Sequence, residues 1–489
     1  MKFSKSQLGS ISRLGETKVS GAEIFEEMTI RAYLLKSFGV SRGDKILISH
    51  GNSAEFFIDL FAVWEIGACA ACLNPNVTDF ELRKIVDFVK PIAILVNGDR
   101  VLEDYSGVKI INLKQESKQK PKTIDQNEVA KDVTLDDDAL ILFTSGTTGT
   151  PKGVVHSFRS LLARVSLNQF VIGKDTLKST LCPLPTHFGH GLIGNCLTAL
   201  LAGGDLIIYP VLDIRNIVKL GKVIDDFEVT FISSVPTMWK ILVKTSIASP
   251  AKNTLKRIHI GSAPLSSDLW NKVIAWSGIK NVVNTFGITE TANWISGASA
   301  EEFTPQDGLV GRVWGGSAMV LNDDGKIVDK GRGEILIQSP SLMNGYLGLP
   351  DLTAKVLKGR YFYTGDIGEL NDGVLHLMGR KKFEINKGGL KVNPEDIDIL
   401  LETNEIIREA CAFGVEDEVA GEIVGVAIVV NEDSKLEFES LKNWIKERLS
   451  KEKVPSKWFL LNEIPKTDRG KVNRYNVAEL CKTKSSLKN

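Results

Sequence analysis

The chain of 489 residues is long enough for more than one structural unit, and its composition, 43% hydrophobic and 25% charged, is that of an ordinary globular protein. Sixty Lys and Arg residues balance 60 Asp and Glu residues, so the overall charge predicts no nucleic-acid partner and no attraction to a membrane surface. The N-terminal segment has no apolar core of signal-peptide length, and no stretch reaches the roughly 20 apolar residues that span a bilayer. We therefore expect a cytoplasmic protein without a membrane span.

The first part of the chain alternates short apolar strands with amphipathic helices. Residues 45–50 and 92–96 have the pattern of strands, and residues 52–68 between them carry apolar side chains at helical spacing. This alternation predicts α/β layering with parallel strands. Residues 114–138 are polar and charged, which indicates a surface connection. Further buried strands are predicted at residues 139–143, 206–209, 229–233 and 257–260.

The pattern changes toward the C-terminus. Short strands and Gly turns dominate from about residue 308 to 377, which predicts a β-rich subdomain. Beyond Gly379, amphipathic helices and apolar strands alternate again, which is enough for a separate small α+β domain. The helices are predicted at residues 394–403 and 436–450, and the strands at residues 410–415 and 423–430.

Six cysteines are scattered through the chain. Cys69 and Cys72 form a CxxC, a spacing that zinc and redox sites use. They lie in an apolar run without a second CxxC or a nearby His, so we expect buried, small hydrophobic side chains. Sparse cysteines in a chain of this length also favour a reducing compartment.

A loop rich in Gly, Thr and Ser directly follows the predicted strand at residues 139–143. Residues 144–153 are TSGTTGTPKG. The glycines let backbone N–H groups approach phosphate oxygens, and Lys152 supplies a cation for a triphosphate. The spacing is not that of a Walker loop, because Pro151 replaces the second required glycine and Gly153 follows the lysine. The sequence therefore predicts a phosphate-binding loop without predicting Walker-type phosphoryl transfer.

This loop resembles the signature loop of the adenylate-forming superfamily, which includes acyl- and aryl-CoA synthetases, nonribosomal peptide adenylation domains and beetle luciferases. Further segments match in the family's order, and together they cover roughly residues 43 to 474. They are GSAPL (261–265), NTFGITE (284–290), GE (333–334), GY (345–346), YTGD (363–366), GR (379–380) and PKTDRGKVNR (465–474). The resemblance implies a ligase that activates a carboxylic acid with ATP to an acyl-AMP, releases pyrophosphate and then transfers the acyl group to a thiol.

The resemblance also implies roles for individual residues. Thr289 would lie near the α-phosphate, and the Glu290 carboxylate would hold Mg²⁺, a hard ion that prefers oxygen ligands. Asp366 would accept hydrogen bonds from the ribose hydroxyls, and Arg380 would contact ribose or phosphate. Lys471 would stabilise the charge that develops in the transition state, which makes it the main catalytic candidate. The candidate ATP and AMP contacts are Thr144, Ser145, Gly146, Thr147, Thr148, Gly149, Lys152, Gly261, Ser262, Ala263, Asn284, Thr285, Phe286, Gly287, Thr289, Asp366, Arg380 and Lys471.

The family's architecture implies a large N-terminal domain at residues 1–379, made of layered α/β sheets and the β-rich subdomain, and a small mobile α+β lid domain at residues 380–489. Lys382 occupies the position of the family's domain hinge. After adenylation the small domain would rotate to admit the thiol, and Gly388 and Gly389 would then line the thiol tunnel.

The pocket for the acid is less clearly indicated. The candidates are His187, Val235, Gly261, Gly287 and Ile288, and His190 competes with His187 because the segment is offset by about one residue from its relatives. Either histidine could equally have a structural role. No Asp lies between residues 183 and 195 to pair with an ammonium group. Because a buried cation without a partner is costly, the sequence favours an acyl or aryl acid over an α-amino acid.

Several alternatives stay open at this point. Coenzyme A is the expected acceptor, and a phosphopantetheine on a separate carrier protein is the rival. The chain could also be a catalytically silent nucleotide-binding relative, against which the intact Glu290, Asp366, Arg380 and Lys471 argue. Kinase-like phosphoryl transfer would produce ADP, whereas adenylation produces AMP. The sequence leaves the identity of the acid and the oligomeric state open.

Overall fold

The computed structural model describes residues 8–14, 16–75, 77, 79–98, 105, 107–119, 133–144, 152–209, 214–380, 385–387, 390–392, 394–417, 421–431, 434, 436–449, 453–467 and 470–487. Contacts within the chain divide it into two compact units. The large unit consists of Met1–Ser317 and Gln338–Phe362, and the small unit consists of Ala318–Ile337 and Tyr363–Asn489. The predicted domain boundary after Gly379 stays a prediction.

Strands and helices alternate through most of the chain. The strands are β1 (Ile11–Arg13), β2 (Lys45–Ile48), β3 (Cys69–Cys72), β4 (Ala93–Leu95), β5 (Lys109–Ile111), β6 (Asp138–Thr144), β7 (Lys152–Ser157), β8 (Ser179–Cys182), β9 (Asp205–Ile208), β10 (Phe231–Ser234), β11 (Arg257–Gly261), β12 (Val282–Ile288), β13 (Asn293–Ser299), β14 (Leu309–Val313), β15 (Ser317–Leu321), β16 (Ile327–Val328), β17 (Gly331–Gln338), β18 (Gly345–Tyr346), β19 (Leu357–Lys358), β20 (Tyr361–Asn371), β21 (Val374–Arg380), β22 (Ile385–Lys387), β23 (Leu390–Val392), β24 (Ile407–Asp417), β25 (Gly421–Val430) and β26 (Lys457–Leu460).

The α-helices are α1 (Gly21–Ser37), α2 (Ala54–Glu65), α3 (Asp79–Val89), α4 (Leu113–Glu116), α5 (Phe158–Ile172), α6 (Thr198–Leu200), α7 (Ile214–Ile217), α8 (Leu220–Asp226), α9 (Pro236–Lys244), α10 (Ser267–Ser277), α11 (Pro350–Val356), α12 (Pro394–Glu402), α13 (Phe438–Lys446) and α14 (Arg474–Lys482). A π-helix covers His190–Leu197, and short 3₁₀ turns cover Ser117–Gln119 and Thr289–Thr291.

The large unit contains two layers of strands. One runs in the order β1-β9-β8-β10-β11-β12-β13-β14, with parallel pairing from β1 to β12 and antiparallel pairing of β13 with both neighbours. The other runs β18-β7-β6-β3-β2-β4-β5, in which β6 to β5 are parallel, and β7 and β18 are antiparallel additions at one edge. The parallel strands joined by helices confirm the predicted α/β layering.

The small unit contains strands in the order β21-β20-β17-β15-β16 and a further sheet in the order β23-β22-β25-β24, with β26 parallel to β25. Helix α12, which the amphipathic pattern predicts, contacts β24, and so does α14, which is not among the predicted helices. Strands β14 to β21 occupy the stretch for which the sequence predicts a β-rich texture, with α11 as the helix among them.

Local sequence explains where the first helices begin. Ser20 accepts a hydrogen bond from the backbone N–H of Glu23, and the Glu23 carboxylate accepts one from the backbone N–H of Ser20, which is a capping box for α1. Ser53 caps α2 in the same way through Phe56 N–H. Helix α2 is buried from Phe56 to Trp64, because it lies in the main hydrophobic core of the large unit.

The cysteines are buried free thiols, including Cys69 and Cys72. Burial raises the pKa of both of these thiols, so they stay protonated and pack as small apolar side chains. The prediction of a structural role for the CxxC is therefore confirmed. Among the helices that the structure describes, none is long and apolar enough to cross a membrane.

A buried ion pair ties α14 to α12 in the small unit. Arg474 Nη1 lies 2.8 Å from Asp398 Oδ2, and Arg474 also donates to the carbonyl of Ala412 in β24. Removing one partner leaves a buried charge without compensation, which costs far more than an exposed pair contributes.

We expect Arg474→Met to lower the free energy of unfolding of the small unit by about 3 kcal/mol, measured by urea denaturation. Lys482→Met in the same helix removes the exposed pair with Glu479 and should change little. Equal stabilities of the two variants would contradict this assignment. The double variant Arg474→Met/Asp398→Leu should recover part of the loss.

Candidate active site

Parallel strands of the large unit end together at one edge of their sheet. Strands β8, β10, β11 and β12 are neighbours, and in parallel strands the carboxyl ends meet at the same edge, where α/β proteins bind ligands. The segments that follow these ends contain many of the predicted site residues, namely His187, Val235, Ser262, Ala263, Thr289 and Glu290.

Strands β6 and β7 form an antiparallel hairpin, and the predicted phosphate loop is the sequence between them. Thr144 and Lys152 pair across this hairpin in register. The loop residues that the sequence singles out, Ser145, Gly146, Thr147, Thr148 and Gly149, lie outside the described residues, so their roles stay predictions. The Nζ atom of Lys152 lies 5.6 Å from the centroid of the Tyr346 ring, within range of a cation–π interaction.

The 3₁₀ turn Thr289–Thr291 is held from outside by three donors. The Thr289 carbonyl oxygen lies 2.8 Å from His156 Nε2. The Glu290 carbonyl accepts from the backbone N–H of Met343 at 2.8 Å, and the Thr291 carbonyl accepts from the Ser341 hydroxyl at 2.9 Å. A backbone carbonyl only accepts, so His156 Nε2 carries the proton. This turn carries the proposed α-phosphate and magnesium ligands, and its backbone is fixed in place.

The Glu290 carboxylate is oriented by a tyrosine. Tyr346 Oη donates to Glu290 Oε1 at 2.7 Å, while Glu290 itself is half-buried. Burial raises the pKa of Tyr346, and the neighbouring Glu290 carboxylate raises it further, so the hydroxyl stays a donor at neutral pH. The sequence indicated Gly345 and Tyr346 only as a family match. Nothing in their spacing reveals a contact with a residue 56 positions away.

His190 lies between two serine hydroxyls at the ends of β10 and β11. Its Nδ1 is 2.8 Å from Ser262 Oγ and its Nε2 is 2.6 Å from Ser233 Oγ. A neutral imidazole donates through one nitrogen and accepts through the other, so one serine accepts from the ring and the other donates to it. The His187 ring contacts Phe188, with ring centroids 4.2 Å apart. His190 is thus at the strand ends, whereas a pocket role for His187 stays a prediction.

The glycines of the site allow a close approach of backbones. A Cβ atom on Gly261 would come within 2.4 Å of Thr285 Oγ1, and one on Gly287 within 2.3 Å of the Asn293 carbonyl oxygen. The side chains of the residues before Gly287 bond to the backbone or pack within the large unit. Asn284 donates to the carbonyl of Leu309 at 2.7 Å, Thr285 donates to that of Ile260 at 3.1 Å, and Phe286 is buried. Contacts of these residues with ATP stay predictions, as do pocket roles for Val235 and Ile288, which are half-buried.

In the small unit, Asp366 lies within β20, directly after a glycine with positive φ. The backbone N–H of Gly365, which has φ +72°, donates to Glu334 Oε1 at 3.1 Å, and the N–H of Asp366 donates to Thr364 Oγ1 at 2.9 Å. These bonds bring the predicted GE and YTGD motifs together. Asp366 is buried and is the register partner of Arg380 across β20 and β21.

Lys471 is exposed on a short hairpin of the small unit, where Lys466 and Val472 form a bridge. The backbone N–H of Thr467 donates to the carbonyl of Lys471 at 2.8 Å, and Gly470 adopts φ +71° at the turn. The predicted hinge residue Lys382 and the predicted tunnel residues Gly388 and Gly389 lie outside the described residues.

The carboxylate ligand available at this site suits a magnesium ion that binds together with a nucleotide. Within the part of the chain that the structure describes, no cluster of three or more His, Cys, Asp or Glu side chains could hold a metal. Mg²⁺ is commonly bound by one or two carboxylates, with phosphate oxygens and water completing its six ligands. Glu290, oriented by Tyr346, could supply such a single carboxylate.

Sequence comparison assigns the chain to a family. The model of the AMP-binding enzyme family matches residues 10–347, and the model of the AMP-binding enzyme C-terminal domain matches residues 397–471. The chain belongs to the AMP-binding enzyme family. An oxalate–CoA ligase of Arabidopsis thaliana is 30% identical over 464 residues, which is 91% of this chain and 90% of that protein. A 2-succinylbenzoate–CoA ligase of Geobacillus sp. (strain WCH70) is 26% identical over 468 residues, which is 95% of this chain and 93% of that protein.

Solved structures share the fold. ATP-bound MatB from Rhodopseudomonas palustris superposes with a TM-score of 0.87 at 24% identity, over 99% of this chain and 97% of that one. The o-succinylbenzoate coenzyme A synthetase MenE from Bacillus subtilis, in complex with AMP, gives a TM-score of 0.86 at 23% identity, over 96% and 95% of the two chains. The solved structures confirm the α/β fold with a large N-terminal and a small C-terminal domain. The family models and the similar ligases confirm the predicted superfamily and the class of AMP-forming acid–thiol ligase.

Acidification should destabilise the large unit through His156. Burial lowers the pKa of His156 to about 4, whereas the unfolded chain takes up this proton near pH 6.5. The free energy of unfolding therefore falls as the pH drops from about 6.5 toward 4, by about 3 kcal/mol from this group.

We expect His156→Gln, whose amide can still donate to the Thr289 carbonyl, to show a shallower loss of stability in this pH range, measured by urea denaturation. Burial also lowers the pKa of His259, so the variant should retain that part of the acid sensitivity. Parallel pH profiles for the variant and the wild type would contradict the assignment.

Proposed function

We propose that this protein activates a carboxylic acid with ATP and Mg²⁺ to an acyl-AMP and then transfers the acyl group to coenzyme A. The observation that carries the proposal is the fixed Thr289–Thr291 turn. In this turn Glu290 is oriented by Tyr346, whose ring also faces Lys152 at the start of β7. The names of the similar ligases, which join oxalate or 2-succinylbenzoate to CoA, support the choice of acceptor.

In the first proposed step, a carboxylate oxygen attacks the α-phosphorus of ATP, and the bond to the bridging oxygen of pyrophosphate breaks. Negative charge builds on the α-phosphoryl oxygens and on the leaving group, so a cation aimed there stabilises the transition state more than the ground state. Lys471 is proposed for this role and Lys152 for the leaving phosphates. Thr289 would donate its hydroxyl to the α-phosphate, and Glu290 would hold Mg²⁺, which supplies charge neutralisation when bound.

In the second proposed step, the thiol sulfur attacks the acyl carbon and AMP leaves. Asp366 would keep the ribose bound through both steps, with Arg380 beside it in register. The six buried free thiols of the chain fit a reducing compartment, which supports the cytoplasm as the place of action.

We also propose that the acid carries a second polar or anionic group. Oxalate and 2-succinylbenzoate, the acids in the names of two relatives, each have two carboxyl groups. In the cluster of His190, Ser233 and Ser262 at the strand ends, the serine that accepts from the ring keeps its own hydroxyl hydrogen to donate, which a purely aliphatic acid would not use.

A panel of monocarboxylic and dicarboxylic acids tests the proposal, with AMP and ADP quantified in the presence and absence of coenzyme A. We expect acid-dependent AMP and pyrophosphate, with dicarboxylic acids preferred. ADP as the product would indicate phosphoryl transfer, and no nucleotide product with any acid would favour a catalytically silent relative. Supplying preformed acyl-AMP with coenzyme A or with a phosphopantetheinylated carrier protein distinguishes the two acceptors.

Lys471→Ala should lower the rate of acid-dependent ATP–pyrophosphate exchange by about 10²–10³-fold, the usual effect of removing one preorganised transition-state contact. Thioester formation from supplied acyl-AMP should be largely spared, because that step does not expel pyrophosphate. Lys466→Ala is the matched control, since Lys466 lies in the same hairpin and pairs with Glu409 at 2.7 Å. Unchanged exchange in Lys471→Ala would refute the proposed role.

A further inference from the structure

Tyr346 contacts two residues that are proposed to hold ATP and its metal. Its ring faces Lys152 Nζ at 5.6 Å from the centroid, and its hydroxyl donates to Glu290 Oε1 at 2.7 Å. Lys152 begins β7 at the end of the phosphate loop, whereas Glu290 lies in the turn after β12. The buried Tyr346 side chain therefore contacts both the lysine of β7 and the carboxylate in the turn after β12.

The backbone around Tyr346 is fixed on both sides. Tyr346 pairs with Val154 in β7, and the N–H of Leu347 donates to the carbonyl of Gly153 at 2.8 Å. On the other side, the N–H of Met343 donates to the Glu290 carbonyl at 2.8 Å. The segment from 343 to 347 is thus hydrogen-bonded to the strand that leaves the phosphate loop and to the turn that carries Glu290. Any displacement of Glu290 from β7 has to break these bonds.

A carboxylate that binds a metal works best when one orientation is held by a second hydrogen bond. Outer partners of this kind fix the ligand, and their loss typically lowers metal affinity or activity by about 10–100-fold. The phenol is suited to this task because it is rigid and buried, and because its hydroxyl donates directly to the Glu290 carboxylate.

We propose that Tyr346 is a positioning residue that sets Glu290 at a fixed distance from Lys152, so that both reach the same ATP–Mg²⁺. This inference rests on the proposed function and adds to it a residue that touches neither the acid nor the thiol. It makes the magnesium requirement depend on a hydroxyl group outside the phosphate loop.

Tyr346→Phe tests the proposal most cleanly, because it keeps the ring beside Lys152 and removes only the hydroxyl. We expect the Mg²⁺ concentration for half-maximal AMP formation to rise about tenfold, while the KM for the carboxylic acid stays unchanged. Tyr346→Leu also removes the aromatic face and should in addition raise the KM for ATP. Tyr209→Phe is the matched control, since it also deletes a tyrosine hydroxyl, but one that donates to the backbone carbonyl of Asn216 and not to a carboxylate.

Binding measurements separate this inference from the proposed function. Titration calorimetry of ATP at several Mg²⁺ concentrations needs no turnover, and Tyr346→Phe should weaken only the Mg²⁺-dependent part of ATP binding. In a Glu290→Gln background, the same substitution should have no further effect on that part. If Tyr346→Phe keeps the wild-type Mg²⁺ dependence, or if Tyr209→Phe shifts it equally, the inference is wrong. If the wild type binds ATP–Mg²⁺ but forms no AMP with any acid, the proposed function fails instead.

Discussion

A single helical turn cannot satisfy all of its own carbonyl groups, and several elements of the large unit meet where outside donors bind the turn Thr289–Thr291. Its three carbonyls accept from His156, Met343 and Ser341. Ser341 in turn accepts from the buried Arg164 of α5 at 2.7 Å. Burial lowers the pKa of Arg164 to about 9, and the guanidinium still donates at neutral pH. Strand β7, helix α5 and the segment before β18 therefore meet at the turn that carries Glu290.

Three non-glycine residues that follow β11 and β12 adopt positive φ angles. Ser262 has φ +66° after β11, and Ala292 and Asn293 have φ +60° and +139° after the turn, values that L-residues rarely adopt. Specific bonds hold them there, since Asn293 Nδ2 donates to the carbonyl of Gly189 at 2.8 Å and the Thr291 hydroxyl donates to that of Asn293 at 2.7 Å. Strain of this kind persists where the surroundings fix it, often at functional sites.

Local patterns were enough to predict much of this from the sequence. The strand at Lys45–Ile48, the helix at Ala54–Glu65 and the small α+β unit follow from apolar periodicity. The phosphate loop, predicted from its composition after a strand, lies largely outside the described residues and stays a prediction. The contacts that organise the site depend on tertiary placement. The bond from Tyr346 to Glu290 and the position of His190 between Ser233 and Ser262 join distant parts of the chain, and no local spacing encodes them.

The central claim is that the acid attacks the α-phosphorus of ATP, and the fate of the carboxylate oxygens tests it directly. An accepted acid labelled with oxygen-18 in its carboxylate is converted to the thioester, and the nucleotide products are analysed by mass spectrometry. Adenylation predicts AMP that carries one labelled oxygen, because the bridging oxygen of the acyl-AMP stays with phosphorus when the thiol attacks the acyl carbon. Label in inorganic phosphate, with unlabelled ADP, would contradict the claim.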